Sequence, residues 1–204
     1  MFRIFYIPTS EVQSENLSKS AVFNSFFGFE NGKTKTVMEN SNFNRYLFKA
    51  LEAYPYELDE AIEALGYALS YDAKNVQALC LMGKIYWEQL GEYEAAKECY
   101  AEAMASNMDM PTIYPDYIRT LLWNEDYKEA KKLIDFALTV KATDKGTLQI
   151  LLGQWFESKC KYKKAIKAFE KSKKFGYNNN FIRFAENEIN RIKKKLPKKK
   201  RKKV

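Results

Sequence analysis

The sequence predicts an all-α protein built as a solenoid of stacked antiparallel helix pairs. Two observations carry this expectation. Small and large apolar residues recur in one order every 34 or 35 residues. Within each copy the spacings are three, four and seven, which place the residues on one face of a helix. The composition agrees with a folded chain: 46% hydrophobic and 29% charged, with 14 Tyr and 14 Phe to fill a core.

The repeat is read from four alanines, Ala61, Ala96, Ala130 and Ala165, spaced by 35, 34 and 35 residues. Three residues before each stands a large residue: Leu58, Tyr93, Tyr127 and Tyr162. Four residues after each stands another: Leu65, Tyr100, Ile134 and Phe169. Seven residues after each stands a small one: Ala68, Ala103, Ala137 and Ser172. Upstream, Tyr86, Leu121 and Phe156 keep the period, preceded at three residues by Gly83, Ile118 and Gly153. A glycine inside a helix is about 1 kcal/mol less favourable than alanine, so Gly83 and Gly153 need a packing reason. Close contact between the two helices of one unit supplies it.

These residues resemble the tetratricopeptide-repeat family, whose unit is a helix pair of about 34 residues. The best copy reads Leu79-x-x-Met82-Gly83-x-x-Tyr86, then Gly91-x-Tyr93-x-x-Ala96-x-x-x-Tyr100-x-x-Ala103. The fourth reads Leu152-Gly153-x-x-Phe156, then Tyr162-x-x-Ala165-x-x-x-Phe169. The third has Ile118 in place of the glycine, and the first matches only in its second helix. Leu90 lengthens the turn of the second unit. The resemblance covers residues 42–177 and implies a right-handed superhelix of four pairs.

In order, helices are expected at 42–54, 57–70, 76–90, 93–106, 112–123, 127–140, 145–158, 162–174 and 179–195. Pro55 and Pro111 fall between helices and Pro115 in a first turn, where proline is tolerated. The last helix, with Phe181, Ile182, Ala185, Ile189 and Ile192 on one face, is expected to cap the stack at 178–195.

The two ends do not repeat. Residues 1–41 are rich in Phe, and Asn31-Gly32 is a two-residue hairpin signal. Three readings stand for this segment: a cap on the first unit, a self-bound segment in the groove, or an arm that orders on a partner. The tail 196–204 is expected to be unfolded by self-repulsion. Its cluster Lys198, Lys199, Lys200, Arg201, Lys202 and Lys203 looks like a nuclear localisation signal. It equally suits nucleic acid, a ribosome or an acidic surface, or acts only as a solubilising tail.

The net charge of +8 is unevenly spread. Residues 1–156 hold 15 basic and 22 acidic side chains, residues 157–192 hold 10 and 4, and residues 193–203 hold nine basic and none acidic. Such a body with a basic end speaks to partners, not to fold. Histidine is absent, which removes the commonest general base and zinc ligand. With no phosphate loop and no nucleophile beside a base, the sequence predicts no enzyme, cofactor or metal. No apolar run reaches a membrane span, and the apolar opening stops at Pro8. A cytoplasmic protein is expected, nuclear if the source is eukaryotic. Cys80, Cys99 and Cys160 suit a reducing compartment and read as small buried hydrophobes.

The expected function is non-enzymatic: a scaffold or adaptor that binds a peptide or helix of another protein. In stacked helix pairs the first helix of each lines the concave side. The resemblance then puts Gln77, Cys80, Lys84, Trp87 and Glu88 in the groove, with Thr112, Arg119, Leu122 and Trp123 beside them. The fourth unit adds Thr147, Ile150, Gln154 and Glu157, and the first adds Tyr46, Ala50 and Tyr54. Trp87 and Trp123 are either binding anchors or packing between units. Lys84 and Arg119 are the only groove cations, and the paired asparagines of the family's carboxylate clamp are missing, so that clamp is not expected. The alternative function is an RNA- or ribosome-associated protein working through the basic end. Self-association is open.

Overall fold

The computed structural model describes residues 42–196. The hairpin signal at Asn31-Gly32 and the cluster Lys198–Lys203 lie outside the described residues. Those described form nine α-helices and no strand. They are α1 (Asn42–Ala53), α2 (Leu58–Tyr71), α3 (Val76–Ile85), α4 (Tyr93–Ser106), α5 (Ile113–Trp123), α6 (Tyr127–Ala137), α7 (Lys145–Ser158), α8 (Tyr162–Lys173) and α9 (Asn179–Lys195). Each helix packs on its neighbours in sequence, and α5 packs on α7 as well. No helix among the described residues is long and apolar enough to cross a membrane.

The alanine pattern is the interior. Leu58, Tyr93, Tyr127 and Tyr162 each open their helix. The twelve positions on the alanine, plus-four and plus-seven series are all fully buried. Gly83 and Gly153 each lie against an aromatic ring of the next helix. A Cβ on Gly83 would stand 3.1 Å from the Tyr100 ring, and one on Gly153 only 2.7 Å from the Phe169 ring. Tyr100 and Phe169 occupy the same place in the repeat, so small-against-large contact is a repeated device.

The repeat also appears in the backbone. Gly91, Glu125 and Cys160, spaced by 34 and 35 residues, have φ of 70°, 61° and 56°. Such a left-handed residue ends a helix and frees the next amide to turn back. Glu92 N donates to Tyr86 O, Asp126 N to Leu121 O and Lys161 N to Phe156 O, at 2.8, 2.9 and 2.8 Å. The acceptors are the three residues whose 35-residue period marks the first helices. The first of these bonds spans one residue more than the others, because Leu90 is extra. The backbone takes up Leu90 by widening the end of α3 into a π-helical turn, Tyr86–Leu90.

Helix ends carry their own signals. Asn75, Asp144 and Asn178 accept bonds from Ala78 N, Thr147 N and Phe181 N. Helix α6 stops at Ala137, short of the expected 140, in a stretch where Thr139 and Val140 disfavour helix. Lys145 Nζ donates to the freed carbonyls of Leu138 and Val140 at 2.7 and 2.8 Å. Helix α9 buries Ala185, Ile189 and Ile192; Ile189 and Ile192 pack in one cluster with Ile150, Ala165 and Phe169.

Cysteine behaves differently from expectation at one of three positions. Cys80 and Cys99 are half-buried, whereas Cys160 is exposed. Cys160 takes the left-handed turn position that Gly91 fills in the second unit, and a turn apex faces water.

Candidate binding surface

Two polar networks involve the helices expected to line the groove, and the second reaches the expected capping helix α9. The first links the end of α1 to the end of α3, with an ion pair on α5 close enough to act on it through charge. Tyr54, just past α1, donates from its hydroxyl to Glu88 Oε2 at 2.7 Å. Lys84 Nζ lies 3.8 Å from the same oxygen and 5.4 Å from the Tyr54 ring centre. On α5, Arg119 and Asp116 form an ion pair one turn apart. Burial pushes the Glu88 carboxyl up to about 7, with Asp116 adding to the rise and Arg119 opposing it. Burial lowers the Lys84 ammonium and pushes the Tyr54 hydroxyl up to about 12. A low-dielectric site penalises every charged form, so acid and base both shift toward neutrality.

The second network joins α7 and α9. Arg191 presents a fork to Glu157, with Nη1 and Nη2 at 2.6 Å from the two carboxylate oxygens. Lys195 Nζ reaches Glu157 Oε1 at 2.7 Å, and Arg191 also binds Glu188 through Nε and Nη2. Burial opposes ionisation of Glu157, but Arg191 and Lys195 together overcome it and hold the carboxyl below its ordinary value. Glu188 and Glu157 in turn raise the Arg191 guanidinium.

The expected groove residues separate into three groups. Tyr54, Lys84, Glu88 and Arg119 come together, but Lys84 is only 4% exposed and is no presented cation. Its ammonium is turned to Glu88 and Tyr54. Trp87 is also buried rather than wet, in a cluster with Leu79, Tyr100 and Ile113, and its indole interacts with the Tyr100 hydroxyl. Trp123 packs half-buried on that same cluster. Ala50, Leu122 and Ile150 are core. Arg119 and Gln154 are half-buried on α5 and α7. Tyr46 stands apart, stacked on Tyr67 and Tyr71 of α2 at 5.1 and 5.9 Å.

Sequence reasoning missed Asp116 and Arg191. Asp116 was legible in principle as the acid three residues before Arg119 on one helix face. The Arg191 fork joins residues 34 apart, and nothing local marks it. Among the described residues no group of three His, Cys, Asp or Glu is placed to hold a metal ion. The arrangement offers hydrogen-bond donors and acceptors and several part-exposed ion pairs.

No protein-family model matches this chain, and neither does any curated protein.

Proposed function

We propose that this chain is a protein-binding scaffold of the tetratricopeptide-repeat type. In this reading its four helix pairs are antiparallel and stack into a right-handed solenoid, with α9 closing one end. A peptide or helix of a partner lies along α1, α3, α5 and α7. The observation that carries the reading is one unit recurring in packing and in backbone. The same twelve positions are buried, the same glycines touch the same aromatic positions, and the same turn residue is left-handed at Gly91, Glu125 and Cys160.

Within that surface, Arg119 with Asp116, Trp123, Gln154 and Tyr54 are the groups a partner meets. Glu88 and Lys84 tie α3 to Tyr54 and hold the surface from beneath. Trp87 anchors α3 to α4 and α5. Affinity capture from the source cells, comparing wild type with an Arg119→Glu/Gln154→Lys variant, tests the assignment. The variant is expected to lose specific partners while keeping its helicity, and identical partner lists would remove the groove from the account.

A further inference from the structure

The helices α2, α4, α6 and α8 hold equivalent places in the repeat, and three of them begin on acid. Their N-cap residues are Glu57, Glu92 and Asp126, followed by Asp59 and Glu60, Glu94, and Glu129 in the first turns. Acid there complements the positive end of the helix dipole. Helix α8 reverses the pattern. Its N-cap is Lys161, its first turn holds no acid, and Lys163 and Lys164 follow. The N-cap backbone angles of Lys161 and Asp126 are nearly the same, so the geometry does not demand the change.

These lysines are exposed, as is Lys159. Among the described residues none of Lys159, Lys161, Lys163 and Lys164 makes an ion pair. What they do face is aromatic. Lys159 Nζ sits 3.9 Å from the Tyr127 ring centre, Lys161 lies 5.8 Å from that of Trp155, and Lys164 lies 5.9 Å from that of Phe156. Lys131, which also pairs with Asp135, approaches Trp155 from α6 at 5.8 Å. Trp155 and Phe156 meet edge to face at 5.2 Å, and Trp155 is pinned by its N–H to Tyr127 O at 2.7 Å. The result is a group of three half-buried rings, two of them in contact, bordered by the exposed Lys159, Lys161 and Lys164, which make no ion pair among the described residues, and by Lys131, which pairs with Asp135. The basic run 193–203 begins beside it, because Lys195 contacts Glu157, two residues before Lys159.

We propose that this surface binds single-stranded nucleic acid, with the lysines on successive phosphates and the rings of Tyr127, Trp155 and Phe156 against bases. Charge selects an anion, and the interleaved rings select a strand whose bases are open over a merely acidic protein. The surface spans α6, the end of α7 and the start of α8, on residues other than those assigned to the partner groove although Trp155 adjoins Gln154 in sequence.

The test is fluorescence anisotropy of the full chain with a labelled uridine oligonucleotide of about 20 residues, at a low salt concentration of about 50 mM. The variant Lys159→Gln/Lys161→Gln/Lys164→Gln is compared with Lys49→Gln/Lys74→Gln/Lys141→Gln, which removes equal charge elsewhere. All six lysines are exposed, and circular dichroism checks that both variants keep their helicity. The first variant is expected to bind at least about tenfold more weakly and to lower the salt slope by about 2. The second is expected to change affinity less than about twofold, because it leaves the phosphate contacts in place. Deleting 197–204 should weaken both without erasing the difference between them. Unlabelled oligonucleotide should quench tryptophan emission through Trp155. No binding at low salt, equal losses in both variants, or polyglutamate competing as well as RNA at equal charge would each overturn the proposal. Self-association lost with the first variant, in place of RNA binding, would assign the surface to a second copy.

Discussion

The second and fourth helix pairs bury the same repeat positions and differ in what they do with a part-buried carboxylate. Glu88 in the second and Glu157 in the fourth each stand three residues before the left-handed residue that ends their helix. Glu88 has a lysine at 3.8 Å and a tyrosine hydroxyl, and burial wins: its carboxyl rises to about 7. Glu157 has the Arg191 fork and Lys195, and partners win: its carboxyl stays low. A bidentate guanidinium satisfies both carboxylate oxygens at once, whereas a single ammonium at longer range does not. A carboxylate three residues before the turn is therefore raised toward neutrality by burial in one pair and held charged by its partners in the other.

The largest expected effect breaks the Arg191 fork. Arg191→Met leaves Glu157 and the buried Glu188 without their shared cation and should destabilise the chain by about 2 to 3 kcal/mol, read by urea unfolding. The loss should centre on α9, seen as faster amide exchange there. If the variant unfolds at the wild-type midpoint, the fork is a surface contact only.

Next come the glycines. Gly153→Ala puts a Cβ at 2.7 Å from a fully buried Phe169 ring and should cost about 2 kcal/mol in chemical denaturation. Gly83→Ala meets Tyr100 at 3.1 Å, and a helix-propensity gain of about 1 kcal/mol offsets most of the strain, leaving it close to neutral. Equal effects at the two sites would show that clearance does not separate the pairs. Smaller still, Cys160→Gly relieves a left-handed non-glycine residue and should raise stability by about 0.5 to 1 kcal/mol, as Glu125→Gly should.

The pH dependence carries opposite signs at the two carboxylates. Glu88 has a folded value above its ordinary 4.5, so its contribution is most favourable below 4.5 and is lost as pH rises toward about 7. Glu157 has a folded value below 4.5, so its contribution is present above 4.5 and is lost as pH falls through the folded value. Glu88→Gln should flatten the stability decline between pH 5 and 7 relative to wild type, read as unfolding midpoints across that range. An unchanged decline would place its origin elsewhere.

The interior was legible because its signal is periodic. Ala61, Ala96, Ala130 and Ala165 and their plus-four and plus-seven partners mark the buried faces without any knowledge of contacts, and Gly83 and Gly153 announced close packing. The candidate surface was legible only in part. A groove position read from a repeat says which way a residue points, not how deep it sinks. Lys84 turns to Glu88 and the Tyr54 ring, and Trp87 packs with Leu79, Tyr100 and Ile113. Arg191 was missed because an ion pair between helices leaves no period, and Asp116 because the repeat pattern marks apolar positions and not the acid one turn before Arg119. The basic fourth pair was plain as a charge count, but its lysine and ring pairing needed coordinates, since Lys159 and Tyr127 are 32 residues apart.

The scaffold reading is tested most directly by site-specific photo-crosslinking in the source cells. A benzophenone amino acid is placed at Arg119 or Gln154 on α5 and α7, or at the exposed Glu98 or Lys132 on α4 and α6. The account predicts one protein partner captured from both Arg119 and Gln154 and not from Glu98 or Lys132. Capture of that partner only from Glu98 and Lys132, or of no common protein from Arg119 and Gln154, would contradict it.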